Sequence, residues 1–264
     1  MVFRQSIATL FIALLSATSA FGQSLTLEDD SGWRHGFSIG LFGAVRTRGE
    51  VTVAGNPADL DLSLRDALKH LDFTATGRYE AWNGNFGLIA EGHYIGLSES
   101  STISLGPFGG TTVSVDSVQS WLSLLGAYRV SQGTTNAGQP YAFDLQAGAR
   151  YNRLKQTLST TGLLGTVGGT EYWWAPVVAA RYAWGINDKW SGSVLVDASG
   201  FGVNGNDLSW SGTIGFTRKF NERSSLFLGW RHVDFKYSTT RVDGAFGANM
   251  WSTGPLIAYT HTFN

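Results

Sequence analysis

The sequence predicts an all-β protein, a closed antiparallel transmembrane β-barrel of about ten strands, preceded by a cleaved signal peptide. Eight and twelve strands are the alternatives. Three observations carry this. Apolar and ionised residues alternate with period two along most of the chain. In "RYEAWNGNFGLIAEGHY" (78–94), Phe86, Leu88, Ala90 and Tyr94 share one parity, and Glu91 and His93 share the other. Tight polar turns alternate with longer loops along the chain, the pattern of a barrel with a short-turn end and a long-loop end. The N-terminus has the order of an export signal.

That order runs from a short positive region, Met1 to Arg4, through the apolar "IATLFIALL" (7–15) to small residues in "SATSAFGQ". Cleavage is expected after Ala20 or Gly22. The chain therefore divides into a signal peptide, 1–22, and one barrel domain, 23–264. No later stretch is apolar for long enough to be a membrane-spanning helix. The net charge of −1 gives no reason to expect a nucleic-acid partner. The 34 glycines and 13% aromatic residues suit curved strands with aromatic belts at two membrane interfaces. With no cysteine, disulfides, thiol catalysis and cysteine metal sites are excluded.

Ten segments read as strands, at about 33–47, 72–82, 86–98, 112–130, 141–156, 170–185, 189–199, 207–220, 224–240 and 250–263. Asn83-Gly84-Asn85, Asn187-Asp188 and Asn221-Glu222-Arg223 are tight turns, and 131–140 is a longer polar one. The loops near 48–71, 99–111, 157–169 and 241–249 belong to the opposite end, with 200–206 as its short member. Tight turns on one side place both termini in the periplasm. One parity collects Arg78, Glu80, Glu91, His93, Asp144, Arg150, Glu171, Arg181, Asp197 and Arg231. Acids and bases nearly balance there. A ten-stranded barrel is narrow, so this parity predicts a mostly filled lumen held by ion pairs rather than a wide pore.

Residues that might carry chemistry are few. The five histidines, His35, His70, His93, His232 and His261, have no ligand-like spacing. His232 and Asp234 form the most suggestive pair, but parity puts both with Trp230 on the outward face. Gly200, Gly202 and Gly205 match GxGxxG, yet a strand-like run follows, so these glycines read as a tight hairpin. No GxSxG elbow occurs. In "DLDLSLRDALKHLDF" (59–73), Ser63 would cap a short helix, Leu64 to Leu71, lying across the mouth. Asp59, Asp61 and Asp66 would make at most a weak cation site. No catalytic, cofactor-binding or metal-binding residue is assigned, and no enzyme activity or cofactor is expected.

The stretches "SLRDALKHLDF" (63–73), "VDASGFGVNGNDLSW" (196–210), "FNERSSLFLGWRHVDFKY" (220–237) and "GPLIAYTHTF" (254–263) resemble a family of Gram-negative outer-membrane β-barrel proteins, most without assigned function. The resemblance implies location in the cell outer membrane among its lipids and lipopolysaccharide. It also implies that Phe263, followed here by Asn264, serves as the C-terminal aromatic read by the barrel-assembly machinery. The expectation is a monomeric barrel with a structural, adhesive or narrow-pore role. The rivals are an outer-membrane enzyme acting on lipid A or peptides, a small-solute channel and a soluble secreted β-protein.

Overall fold

The structure, a computed structural model, describes residues 32–63, 71–104, 110–160 and 165–263. The signal peptide and the helix expected at Leu64 to Leu71 fall wholly or mainly outside them. Twelve strands follow in chain order. They are β1 (Arg34–Phe42), β2 (Arg46–Val53), β3 (Asn56–Ser63), β4 (Leu71–Asn83), β5 (Phe86–Ser104) and β6 (Gly110–Thr134). Then come β7 (Pro140–Thr160), β8 (Thr166–Asn187), β9 (Trp190–Val203), β10 (Asn206–Lys219), β11 (Ser224–Arg241) and β12 (Gly244–Phe263).

Ten of these strands close the barrel. β1 pairs with β4, β4 to β12 pair successively, and β12 pairs back onto β1, all antiparallel. Closure leaves no free edge around this ring, which is what a sheet needs in lipid. β2 and β3 form a hairpin beside the far half of β12. β2 continues the line of β1 past an irregular step at 43–45, where the Gly43 amide donates to Pro255 O at 3.0 Å and the Val45 amide to Thr253 O at 2.9 Å. The backbones crowd at this step. A Cβ on Gly254 would lie 1.9 Å from the Gly43 carbonyl oxygen, so only glycine fits.

The first predicted strand, 33–47, is therefore broken, and the predicted loop 48–71 contains most of β2 and all of β3. The hairpins β5–β6 and β7–β8 also run further than alternation alone shows. β6 has 25 residues and β8 has 22, so both stand well beyond a bilayer crossing. The sequence that extends β5, 99–104, is mostly polar on both parities, which erases the hydrophobic alternation. The short-turn end matches the expectation. Asn187 Oδ1 accepts from the Lys189 and Trp190 amides at 3.0 Å each, and Asn221 Oδ1 accepts from the Arg223 amide at 2.9 Å.

Candidate functional site

The lumen is where polar side chains converge. Strand pleating aims alternate residues inward, so the ionised parity of seven strands meets there. Glu80 receives Arg181 Nη1 at 2.9 Å, the Arg78 Nε and the Trp82 indole at 2.8 Å. Asp144 bridges Arg129 Nε at 2.8 Å and Arg181 Nη2 at 2.7 Å. Arg78 also reaches Glu91, and Gln146 Oε1 at 3.2 Å; Arg231 stands 3.8 Å from the other Glu91 oxygen. Arg150 donates to Asp197 at 2.8 Å and to Ser123 at 2.9 Å, and Ser211 donates to the second Asp197 oxygen. Arg231 Nη2 in turn donates to Ser211 at 3.3 Å.

Five arginines and four carboxylates thus form one chain of contacts, with no side chain more than 10% exposed. Burial on this scale is tolerable because each carboxylate has a cationic partner. Arginine suits this setting because its planar fork serves two carboxylates at once, as Arg181 does for Glu80 and Asp144. Trp82 closes the short-turn side of the network. The Arg129 and Arg181 guanidiniums lie 4.8 and 5.6 Å from its ring centroid.

Toward the tall end the filling changes. Leu154, Trp173, Ala175, Phe235, Tyr237, Phe246 and Ala248 form a buried apolar cluster inside the barrel. Trp173 stacks on Tyr237 with centroids 3.7 Å apart, and Phe235 lies 6.2 Å away. Asn206 anchors this plug. Its amide nitrogen donates to Lys236 O at 2.8 Å, and its oxygen accepts from the Trp173 indole at 3.3 Å. Between plug and network, a cavity of about 20 Å³ borders Trp121, Arg150, Ser211 and Arg231, room for about one water molecule.

Above the plug, β8 meets the β11–β12 hairpin across the shorter β9–β10 hairpin. Arg241 pairs with Glu171 and, at 3.4 Å, with Asp243. The Gly168 amide donates to Asp243 Oδ2 at 3.0 Å. That amide, helped by Arg241, holds the Asp243 carboxyl below the usual carboxylate range.

The outward parity is apolar through the middle of the barrel. Leu88, Leu124, Leu145, Ile214 and Phe216 are all at least 47% exposed, which a protein surrounded by water would not leave contiguous. Aromatic residues flank this band. Phe86, Tyr128, Tyr182 and Phe220 mark the short-turn side, and Tyr94, Trp174, Trp210 and Trp230 stand toward the other. The distribution is inside-out: the oily parity covers the outer wall and the ionised parity is enclosed, the arrangement of a barrel set in lipid.

All ten residues predicted to point inward do so. Nine are buried, and Glu171 is half-buried near the mouth. His232 and Asp234 face out, as parity predicts. His232 lies between Trp210 and Trp251, at 5.0 and 5.8 Å, away from the lumen. Asp61, expected at most to join a weak cation site, is shared by Arg46 at 3.0 Å and Arg48 at 3.1 Å. The 200–206 hairpin carries positive φ at Gly200, Gly202 and Gly205, as expected, and also at Phe201 and Asn204. Sequence reading misses Arg129 and the plug. On β6 the inward parity also carries Trp121, Leu125 and Ala127, so no polar run marks Arg129 as luminal.

No family model and no curated protein matches the chain. Solved structures do. The outer membrane protease OmpT from Escherichia coli aligns at 12% identity and a TM-score of 0.49, over 91% of this chain and 100% of that one. The translocator domain of the autotransporter NalP from Neisseria meningitidis aligns at 13% and 0.39, over 98% and 96% of the two chains. The outer membrane protein OprG from Pseudomonas aeruginosa aligns at 11% and 0.33, over 88% and 94%. The likeness is to barrels of antiparallel strands, at identities too low to transfer a role or a residue.

Proposed function

We propose that this chain is an integral barrel of the Gram-negative outer membrane with a filled, non-conducting lumen and a structural or adhesive role. One observation carries the reading: two different fillings, the arginine–carboxylate network and the aromatic plug, occupy the lumen in series. A solute channel needs a continuous polar path, and the plug offers none on the side where the network ends. An enzyme needs convergent groups open to substrate. His93 is buried against Trp121, with ring centroids 4.2 Å apart, and His232 faces outward. What reaches water is the tall end, β5 to β8 above all, and loops held there by a rigid wall are suited to contact with other surfaces.

On this reading both termini lie in the periplasm, and the exposed Phe263 at the end of β12 is presented to the assembly machinery. The barrel works as a monomer among outer-membrane lipids and lipopolysaccharide. The test is planar-bilayer recording on protein that migrates faster unboiled than boiled. The expected result is no conductance steps. Steps of reproducible size from the same heat-modifiable protein would replace this reading with a channel.

A further inference from the structure

The outward cations at the tall end are treated in two ways. Arg46 and Arg48 share Asp61, and Lys236 stands 3.9 Å from Asp234. Arg153 and Lys155 differ. Both are on the outward parity of β7, half-buried, and neither meets a carboxylate or makes a hydrogen bond among the described residues. On β7 they stand one and two outward positions above Tyr151, at the upper edge of an aromatic platform. Arg153 is directly opposite Tyr172, and Lys155 is opposite Thr170. Beneath them Tyr151 stacks on Tyr172 at 6.1 Å and touches Trp174 at 5.1 Å.

Tyrosine and tryptophan mark the level where hydrocarbon gives way to headgroups. Two cations that pair with no carboxylate among the described residues stand at and just above that level, facing the layer where lipid phosphates lie; the outward carboxylate nearest in register, Asp116, is opposite Thr157 and accepts from its hydroxyl at 3.4 Å. Long cationic side chains of this kind can lay their aliphatic stems along the wall and turn their charged ends toward that layer. On the other side of the barrel the same layer meets cations already neutralised by protein carboxylates. The field outside the tall end is therefore lopsided.

We propose that Arg153 and Lys155 bind the phosphate of a phosphorylated glycolipid of the outer leaflet, whose acyl chains lie along the Tyr151–Trp174 face. This rests on the membrane reading above and names one fixed lipid contact within it. Arginine offers two parallel donors to phosphate oxygens and lysine adds a point charge, a pairing suited to a tetrahedral anion.

The test is native mass spectrometry of the full chain in detergent micelles. Titrations use the phosphorylated glycolipid from outer membranes, the same lipid with its phosphates removed, and inorganic phosphate alone. The expected result is a one-to-one adduct with the phosphorylated lipid, weakened at least tenfold by Arg153→Gln with Lys155→Gln. Arg46→Gln with Arg48→Gln should shift it less than twofold. The dephosphorylated lipid should bind wild type as weakly as the phosphorylated lipid binds the Arg153/Lys155 variant. Equal retention by both double variants, equal binding of the dephosphorylated lipid, or an adduct with inorganic phosphate alone that competes the lipid away would overturn the proposal. Heat modifiability is read on every variant. A heat-modifiable barrel without lipid selectivity defeats the site alone, whereas loss of modifiability in wild type defeats the membrane reading.

Discussion

The two halves of the lumen are filled by opposite chemistries. Toward the short turns, five arginines and four carboxylates exchange hydrogen bonds, and toward the tall end Trp173, Tyr237 and Phe235 stack on one another. A buried ion-pair network gives little net stability over apolar filling, because desolvation offsets most of the attraction. It does penalise wrong registers: a slip of one residue in β4, β6, β7, β8 or β11 would turn an arginine into lipid and leave a carboxylate short of a partner. An aromatic plug has the reverse character. It contributes burial and tolerates small shifts. One half of the barrel thus specifies strand pairing, and the other contributes apolar burial.

Substitutions can separate these two characters. The largest effect is expected in the network. Asp144→Ala takes the carboxylate from Arg129 and one of the two carboxylate partners from Arg181. A loss of about 3–5 kcal/mol is expected, as when one member of a buried pair is removed. Urea unfolding from lipid vesicles, followed by tryptophan fluorescence, measures it. An effect under about 1 kcal/mol, the range of exposed pairs, would mean that the network is solvated and the lumen wet.

Trp173→Ala should cost about 3 kcal/mol through lost burial and stacking. It should still give no conductance, because the network below remains in place. Conductance from this variant alone would show that the plug is the only barrier.

A smaller effect concerns the mouth. Asp243 has its carboxyl lowered in the folded barrel by the Gly168 amide and Arg241. A lowered folded value means that the stabilisation is present above the ordinary carboxylate value of 3.8 and is lost as pH falls through the folded one. Protection of the Gly168 amide from hydrogen exchange should hold at neutral pH and fall only at strongly acidic pH. Asp243→Asn should lower that protection at neutral pH while leaving the barrel heat-modifiable.

The smallest effect is expected outside. Arg48→Gln removes half of an exposed pair of contacts to Asp61, and the unfolding midpoint should not move.

Much of this is legible in the sequence, for a physical reason that also sets its limit. Alternation reports a difference between two faces. Where lipid lies outside and charge inside, as along Phe86 to Tyr94, the difference is large, and strand, register and facing all follow from it. Where both faces are polar, the signal vanishes. The upper parts of β5, β7 and β8 therefore read as loops, whereas β3 does alternate, with Leu60 and Leu62 against Asp59 and Asp61, but is short and runs into a stretch with helical spacing. Where both faces are apolar it vanishes again. Parity places Trp173 inward, but it does not show Phe235 and Tyr237 on β11 meeting it, because stacking across the lumen leaves no mark on any single strand. The network's members are visible one by one. Their pairing is not: Arg181 reaches Glu80 from a strand 101 residues away in sequence.

The absence of native cysteine lets the lumen and the outer wall be probed directly. Ser123 and Leu124 are neighbours on β6; Ser123 is 1% exposed and faces the network, and Leu124 is 52% exposed and faces outward. Ser123→Cys and Leu124→Cys would each carry a spin label in lipid vesicles, with collision rates measured against oxygen and a water-soluble nickel complex. With a filled lumen, the label at 124 meets oxygen and not nickel, and the label at 123 meets neither. Strong nickel collisions at 123 would reveal a water path through the barrel, and the lumen would not be filled.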